Sequence, residues 1–321
     1  MDKPESHSSH ANNRPEDWQC VVCGSTRSHP KFSGPDRMYR LSEFYQLSCC
    51  DSCGTIGLDP QLSPEKLTQI YPPGYAPYLN SNAANPITNW LYQYGVRKQI
   101  NAITAITGLK HGLALDIGCA RGDFLAALRN NGWQVQGVEI NATIANEARL
   151  KYAIEVEVGD FQTSKLPSNI YHLITLWDVL EHLQQPRQAL RKALHLASPG
   201  GWLMMSLPDP DSLDQMIFRS FWAGWDIPRH QWLYPRQALI QLLAEEGWTV
   251  RKVKWMRGRH WLFSLSMRYW VEAQPKNRLR KAIQETIDSW VGRVLLWPYF
   301  SLIELLGRGS IYVMVAQKTI S

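Results

Sequence analysis

The sequence predicts an α/β protein: a doubly wound, mostly parallel seven-stranded sheet preceded by a small zinc ribbon. Three observations lead there. From Leu113 onward, short apolar runs alternate with helical periodicity. A glycine-spaced turn stands where the first of those strands meets the first helix. Two C-x-x-C pairs lie twenty-six residues apart near the start of the chain. Alternating strands and helices imply a parallel sheet covered on both faces. The 321 residues exceed the roughly 100–200 of a single domain, so one sizeable domain with additions is expected. With 45% hydrophobic and 19% charged residues, the composition excludes a largely disordered, collagen-like or disulfide-stapled chain.

Residues 1–17 are rich in Ser, Asn, His, Pro and Glu and lack an apolar core, so they read as a disordered, solvated tail rather than a secretion signal. The expected compartment is therefore the cytoplasm. Residues 18–60 hold Cys20-Val-Val-Cys23-Gly24 and Cys50-Asp-Ser-Cys53-Gly54. Each pair presents two thiolates on a tight turn, and Cys20, Cys23, Cys50 and Cys53 together supply the four soft ligands of a tetrahedral Zn2+. Four cysteines leave no open coordination position, so the metal is read as structural. Disulfides are the competing use of these cysteines, but they belong to secreted chains. Cys49 is the spare, read as a small buried neighbour.

Residues 61–111 form a linker and a helix. The segment Tyr71-Pro-Pro-Gly-Tyr75-Ala-Pro-Tyr78 carries three tyrosines that could reach over a neighbouring pocket, although packing is the simpler role. The sheet domain covers residues 112–321. Its expected strands are Leu113–Gly118, Gln134–Glu139, Glu155–Gly159, Tyr171–Trp177 and Trp202–Leu207, followed by Trp248–Met256 and Ile311–Gln317. Its expected helices are Gly122–Asn130, Ala142–Tyr152, Pro186–Leu196 and Pro235–Glu246, with Pro186 and Pro235 at first helical positions.

The turn Asp116-Ile-Gly118-Cys-Ala120-Arg-Gly122-Asp123 sits at the strand edge where open parallel sheets bind ligands. Its small residues let backbone amides approach a ligand, and the helix N-terminus favours an anionic group. The spacing is G-x-A-x-G rather than G-x-G-x-x-G, and two carboxylates flank it. Those charges would repel a pyrophosphate but suit a zwitterionic amino acid.

Leu115-Asp-Ile-Gly-Cys-Ala-Arg-Gly122 resembles the first motif of class I S-adenosylmethionine-dependent methyltransferases. The resemblance extends in order through residues 113–250 and implies a Rossmann-like sheet binding S-adenosyl-L-methionine. It implies that Asp116, Gly118, Ala120 and Gly122 form the amino-acid cradle and that Glu139 takes both ribose hydroxyls. It further implies that Asp160 and Phe161 hold the adenine, that Leu173-Ile-Thr-Leu-Trp177-Asp178-Val-Leu-Glu181-His182-Leu is the fourth-strand motif with Trp177 in the cofactor site, and that Pro199-Gly200-Gly201 is the turn before strand five. Ala120 departs from the family's usual middle glycine and needs slightly more room.

Methyl transfer is an in-line displacement, so the protein must align the acceptor and, for a hydroxyl, remove its proton. The candidate bases are His182, just after the fourth strand, and His230, in Pro228-Arg229-His230-Gln-Trp-Leu-Tyr-Pro235. The second segment resembles a histidine-containing stretch of this methyltransferase group. More loosely, the whole chain is similar to bacterial enzymes that modify sugars and polysaccharide precursors, which implies a small-molecule, sugar/glycan or lipid-linked acceptor.

Charge gives a separate clue. The net charge is +6, yet residues 251–321 hold thirteen Lys/Arg against four Asp/Glu, leaving −3 for the rest. Within that basic quarter the insertion 257–309 combines tryptophans, apolar faces and arginines, a pattern suited to peripheral contact with an anionic membrane at its inner face. Helices packed over the active site are the plainer expectation. No run reaches a membrane span: the longest, Val294–Leu306, contains Pro298 and Glu304. An RNA methyltransferase and a non-catalytic cofactor-binding scaffold are the alternatives. Against nucleic acid, the cysteine region lacks a dense Lys/Arg run, and the most basic segment is also apolar.

Overall fold

The computed structural model describes residues 18–71, 86–255, 259–275 and 277–319. The expected tail 1–17, and Tyr75 and Tyr78 of the tyrosine-rich segment, lie outside the described residues. In chain order the elements are β1 (Ser28–Pro35), β2 (Phe44–Cys50), β3 (Ile56–Leu58), α1 (Pro64–Gln69), α2 (Pro86–Thr107), β4 (Leu113–Ile117), α3 (Asp123–Asn130), β5 (Gln134–Glu139), α4 (Ala142–Tyr152), β6 (Glu155–Val158) and β7 (Tyr171–Trp177). Next come α5 (Pro186–Leu196), β8 (Ala197–Pro208), α6 (Leu213–Phe218), β9 (Trp232–Leu233), α7 (Arg236–Glu245) and β10 (Trp248–Trp255). The chain continues through α8 (Arg259–Glu272), α9 (Arg278–Asp288), α10 (Trp290–Leu295) and α11 (Trp297–Leu305) to β11 (Ile311–Lys318).

The main sheet has seven strands in the order β10-β11-β8-β7-β4-β5-β6. Strands β8, β7, β4, β5 and β6 run parallel, and β11 is inserted antiparallel between β8 and β10. Period-two alternation sends the side chains to two cores. Leu115 and Ile117 pack on one face with Leu190 of α5 and Leu239 of α7, while Ala114 and Leu173 pack on the other with Ile103 of α2 and Leu128 of α3. Because both faces are covered, the central strands are apolar throughout, which is why they read as continuous hydrophobic runs.

Local signals fixed most of the boundaries. Asn141 caps α4, its side-chain oxygen accepting from the amides of Thr143 and Ile144. Pro186 opens α5 as expected, whereas Pro235 is the residue before α7 rather than its first. The Pro199-Gly200-Gly201 segment differs more. It is not a turn preceding strand five but an irregularity inside β8, which already pairs with β7 at Ala197 opposite Tyr171 and resumes register at Trp202 opposite Leu173. A Cβ at Gly201 would lie 2.8 Å from the Ser198 carbonyl oxygen and 2.9 Å from that of Tyr171, so this crowded bend excludes a side chain.

The cysteine region is not self-contained. Its sheet has four strands, β1-β2-β3-β9, and the fourth comes from the Trp232–Leu233 segment of the main domain. A third core joins the two parts: Leu47, Ile56 and Leu58 of the ribbon meet Trp222 and Trp225 of the loop after α6, and Phe263, Phe300 and Ile303 of the insertion. Among the described residues, no helix is long and apolar enough to cross a membrane.

Candidate active site

The strand order reverses at β4, whose neighbours β5 and β7 lead to opposite sides, so the carboxyl ends of these strands form the switch point at which open α/β sheets bind ligands. The loop leaving β4 is drawn tight there. The amides of Gly118 and Cys119 both donate to the Val138 carbonyl, at 2.8 and 3.1 Å. Backbone φ is +70° at Gly118 and +73° at Gly122, where added Cβ atoms would stand 2.7 Å from Val179 and 2.5 Å from Ile154. Glycine is therefore required twice, by conformation and by space. Ala120, between them, holds φ +46° and carries the strain of the departure from glycine.

Glu139 ends β5 and is 4% exposed. Its two carboxylate oxygens accept from the amides of Ala120 and Asn141, each at 2.9 Å, which fixes the acid against the glycine loop. Burial pushes its pKa above the ordinary value, while those two amides favour the charged form. Asp116 is buried, and its Oδ1 accepts from the Thr175 hydroxyl at 2.6 Å, tying β4 to β7 beneath the loop. The second carboxylate of the turn, Asp123, is drawn to α4, accepting from the Tyr152 hydroxyl and Lys151 Nζ.

Asp160 lies exposed just beyond β6 and accepts from the Gln162 amide at 2.9 Å. Phe161 beside it is only 4% exposed, packed in the core with Lys192 Nζ 5.0 Å from its ring centroid. Trp177 ends β7 in an edge-to-face contact with Phe124, their centroids 5.3 Å apart.

The two histidines, forty-eight residues apart in sequence, meet at the same edge. His182 ends a 3-10 turn that follows β7, and its ring lies 4.8 Å from that of His230. Each Nδ1 stands against a carbonyl: His182 donates to Arg229 at 3.1 Å and His230 donates to Gly224 at 2.9 Å. Carbonyls only accept, so both Nδ1 atoms carry the proton and both Nε2 atoms present a lone pair. The Tyr71 hydroxyl is 3.3 Å from His182 Nδ1, the one part of the tyrosine-rich segment placed at the site by the described residues.

Burial drives the pKa of His182 down to about 3, and the neighbouring His230 adds to the effect. His230 is also lowered by burial, but Asp226 opposes the shift, with Oδ2 at 3.9 Å from His230 Nε2. Of the two, His230 is thus better able to hold a proton.

Sequence reasoning missed the frame around this pair. Arg229, fully buried, donates to both oxygens of buried Asp36 at 2.8 Å and to Asp226 Oδ1 at 2.6 Å. The Gln231 amide donates to the Glu181 carbonyl at 2.8 Å, and the Gln231 carbonyl accepts from Leu58 at 2.9 Å. The loop that carries His230 is thereby fastened to the His182 turn on one side and to the cysteine ribbon on the other.

In the ribbon, Sγ of Cys20 is 3.4 Å from that of Cys53, and Cys23 Sγ is 3.4 Å from Cys50 Sγ; all four lie within 4.8 Å of one another. A zinc–sulfur length of about 2.3 Å in a tetrahedron sets sulfurs about 3.8 Å apart, so the cluster fits that ion. The side-chain contact with Cys20 pushes the Cys53 thiol well below its ordinary range. Cys49 is partly buried and points elsewhere, toward the Gly54 carbonyl at 3.6 Å.

A Rossmann-like α/β protein with its candidate residues gathered at the switch point is the class that this sheet and these strand ends define. The chain belongs to the methyltransferase-domain family, whose model matches residues 92–253, just over half of it. A ubiquinone biosynthesis O-methyltransferase of Leptothrix cholodnii is 24% identical over 204 residues, 59% of this chain and 80% of that protein. An uncharacterised 37.1 kDa protein in transposon TN4556 of Streptomyces fradiae is 36% identical over 107 residues, and the match spans only 31% of its length. Among solved structures, phosphoethanolamine N-methyltransferase 2 of Haemonchus contortus is similar at 17% identity and a TM-score of 0.46, covering 69% of this chain and 52% of that one.

Proposed function

We propose that the protein is a class I S-adenosylmethionine-dependent methyltransferase acting on a small-molecule acceptor. One observation carries this: a buried acid at the tip of β5, Glu139, is oriented by the amide of Ala120 so that glycine loop and carboxylate form one cradle. In it the glycine loop would cradle the amino-acid end of the cofactor, Glu139 would take the ribose hydroxyls, and exposed Asp160 the adenine amino group. When bound, the cofactor supplies an electrophilic methyl group. His230 Nε2 then takes the proton of an acceptor hydroxyl, and Asp226 stabilises the imidazolium that results. Similarity to O-methyltransferases supports a hydroxyl acceptor, and sugar/glycan or lipid-linked hydroxyl compounds are the classes we favour.

Calorimetry tests the cradle. Glu139→Ala removes charge-assisted hydrogen bonds to the ribose, and S-adenosylmethionine affinity is expected to fall about 10- to 100-fold. Wild-type affinity in this variant would refute the assignment.

The four-cysteine cluster is assigned to structural Zn2+. Metal analysis is expected to find about one zinc per chain. Because β9 and the His230 loop are pinned to the ribbon, chelation should lower both the unfolding temperature and turnover. Full stability after complete metal removal would exclude a structural role.

A further inference from the structure

Tryptophan is a buried residue in most of this protein and an exposed one in a single region. Trp18, Trp133, Trp222, Trp225, Trp232 and Trp248 are each at most 9% exposed. Among the described residues, the exposed tryptophans are Trp261, Trp270, Trp290 and Trp297, all within the insertion between β10 and β11. This is a two-faced arrangement rather than a loosely packed one. Phe300 and Ile303 of α11 are 3% and 2% exposed, packed in the core shared with Phe218 and Phe263, and Gly292 of α10 is pressed against Ile287. The same two helices also carry solvent-exposed apolar side chains, Trp290 at 72%, Leu295 at 67%, Trp297 at 64% and Leu305 at 84% exposure, together with exposed Val294 and Leu302. Solvent-facing apolar side chains this contiguous mark an interaction surface.

Charge selects the partner. Residues 257–309 carry nine Lys/Arg against four Asp/Glu. Of those acids, Asp288 is engaged by Arg268 and Ser264, Glu285 by Lys281 and Glu272 by Arg40. Exposed Arg293 lies within the apolar face, and exposed Arg308 follows it. Tryptophans at headgroup depth, aliphatic side chains below them and arginines against phosphates are what a helix lying in an anionic interface requires. These helices are too short to span a bilayer.

Topology adds a consequence. Trp255 at the end of β10 pairs with Tyr312, and Ile311 at the start of β11 pairs with Pro208 at the end of β8, so the insertion emerges at the sheet edge that holds the glycine loop and the histidines. We infer that the outer face of α10 and α11 docks on an anionic bilayer, presenting this sheet edge to an acceptor held at the membrane. The second half of this statement rests on the methyl-transfer function; the docking does not.

Sedimentation of the full chain with vesicles of phosphatidylcholine, alone or mixed with phosphatidylglycerol, tests it without cofactor or turnover. Binding is expected to be at least about tenfold tighter to the mixed vesicles and to weaken with added salt. The triple variant Trp290→Ser/Trp297→Ser/Leu305→Ser should lose about tenfold or more of that binding while keeping S-adenosylmethionine affinity, since none of the three lies in the cradle. Absence of binding to mixed vesicles overturns the inference, as does undiminished binding by the triple variant. A wild-type dimer in analytical ultracentrifugation that the triple variant abolishes, without vesicle binding, would assign the face to a second copy instead. Vesicle binding is expected to persist in Glu139→Ala, so failure of the cofactor site and failure of docking are separable.

Discussion

His230→Ala is expected to lower turnover by about 10²- to 10⁴-fold, the range for removing a general base, while calorimetry should find S-adenosylmethionine affinity nearly unchanged. The division follows from placement. His230 stands on the loop before β9, beyond the end of β7, whereas the cradle is built from the ends of β4, β5 and β6. His182, whose ring is 4.8 Å away, is expected to be a poor substitute, because burial disfavours its imidazolium. The rate profile carries the same signature. Burial lowers the pKa of His230 from its ordinary value, so the proposed base is mainly neutral at physiological pH and activity is expected to decline on the acid side. Turnover of His230→Ala equal to wild type would remove this residue from the reaction, and an acid limb above pH 6.5 would point to a different base.

Arg229→Met is expected to destabilise the protein by about 3–5 kcal/mol, read from denaturant midpoints. The guanidinium is fully buried between Asp36 and Asp226, and removing it strands fully buried Asp36 and largely buried Asp226 without their counter-charge. Asp226 shows the dependence: burial alone would raise its pKa, and its basic neighbours, Arg229 foremost with His230 and His182, together reverse that. Combining Arg229→Met with Asp36→Asn and Asp226→Asn should recover part of the loss, since the penalty lies in uncompensated charge more than in missing attraction. A loss below about 1 kcal/mol for the single variant would show that water reaches the triad. Turnover should fall as well, because the Arg229 side chain anchors the loop that carries His230 to Asp36 and Asp226.

Elements whose signals are local could be read from the sequence. Gln134–Glu139, Tyr171–Trp177, Ala142–Tyr152 and Pro186–Leu196 end where expected, each bounded by a change of periodicity or by a Pro, Gly or Asn. Glu139 and the glycine loop were legible for the same reason, since a short strand and a turn determine their relative position. The bend at 199–201 was not, because a short Pro-Gly-Gly segment suits a turn or a bulge equally and the pairing with Tyr171 decides between them. Asp36 offered no signal: its partner lies 193 residues away, and no spacing pattern links one aspartate to one arginine.

By itself the sequence determined the parallel sheet, the glycine turn with Glu139 across from it, the two thiol pairs and the basic, tryptophan-rich character of the insertion, because each is written in residues near one another along the chain. Tertiary structure alone decided that β9 completes the ribbon sheet, that His182 and His230 share one edge, and that the tryptophans of the insertion face outward. Those outcomes depend on which surfaces bury one another, and burial is a property of the packed chain that no single segment carries.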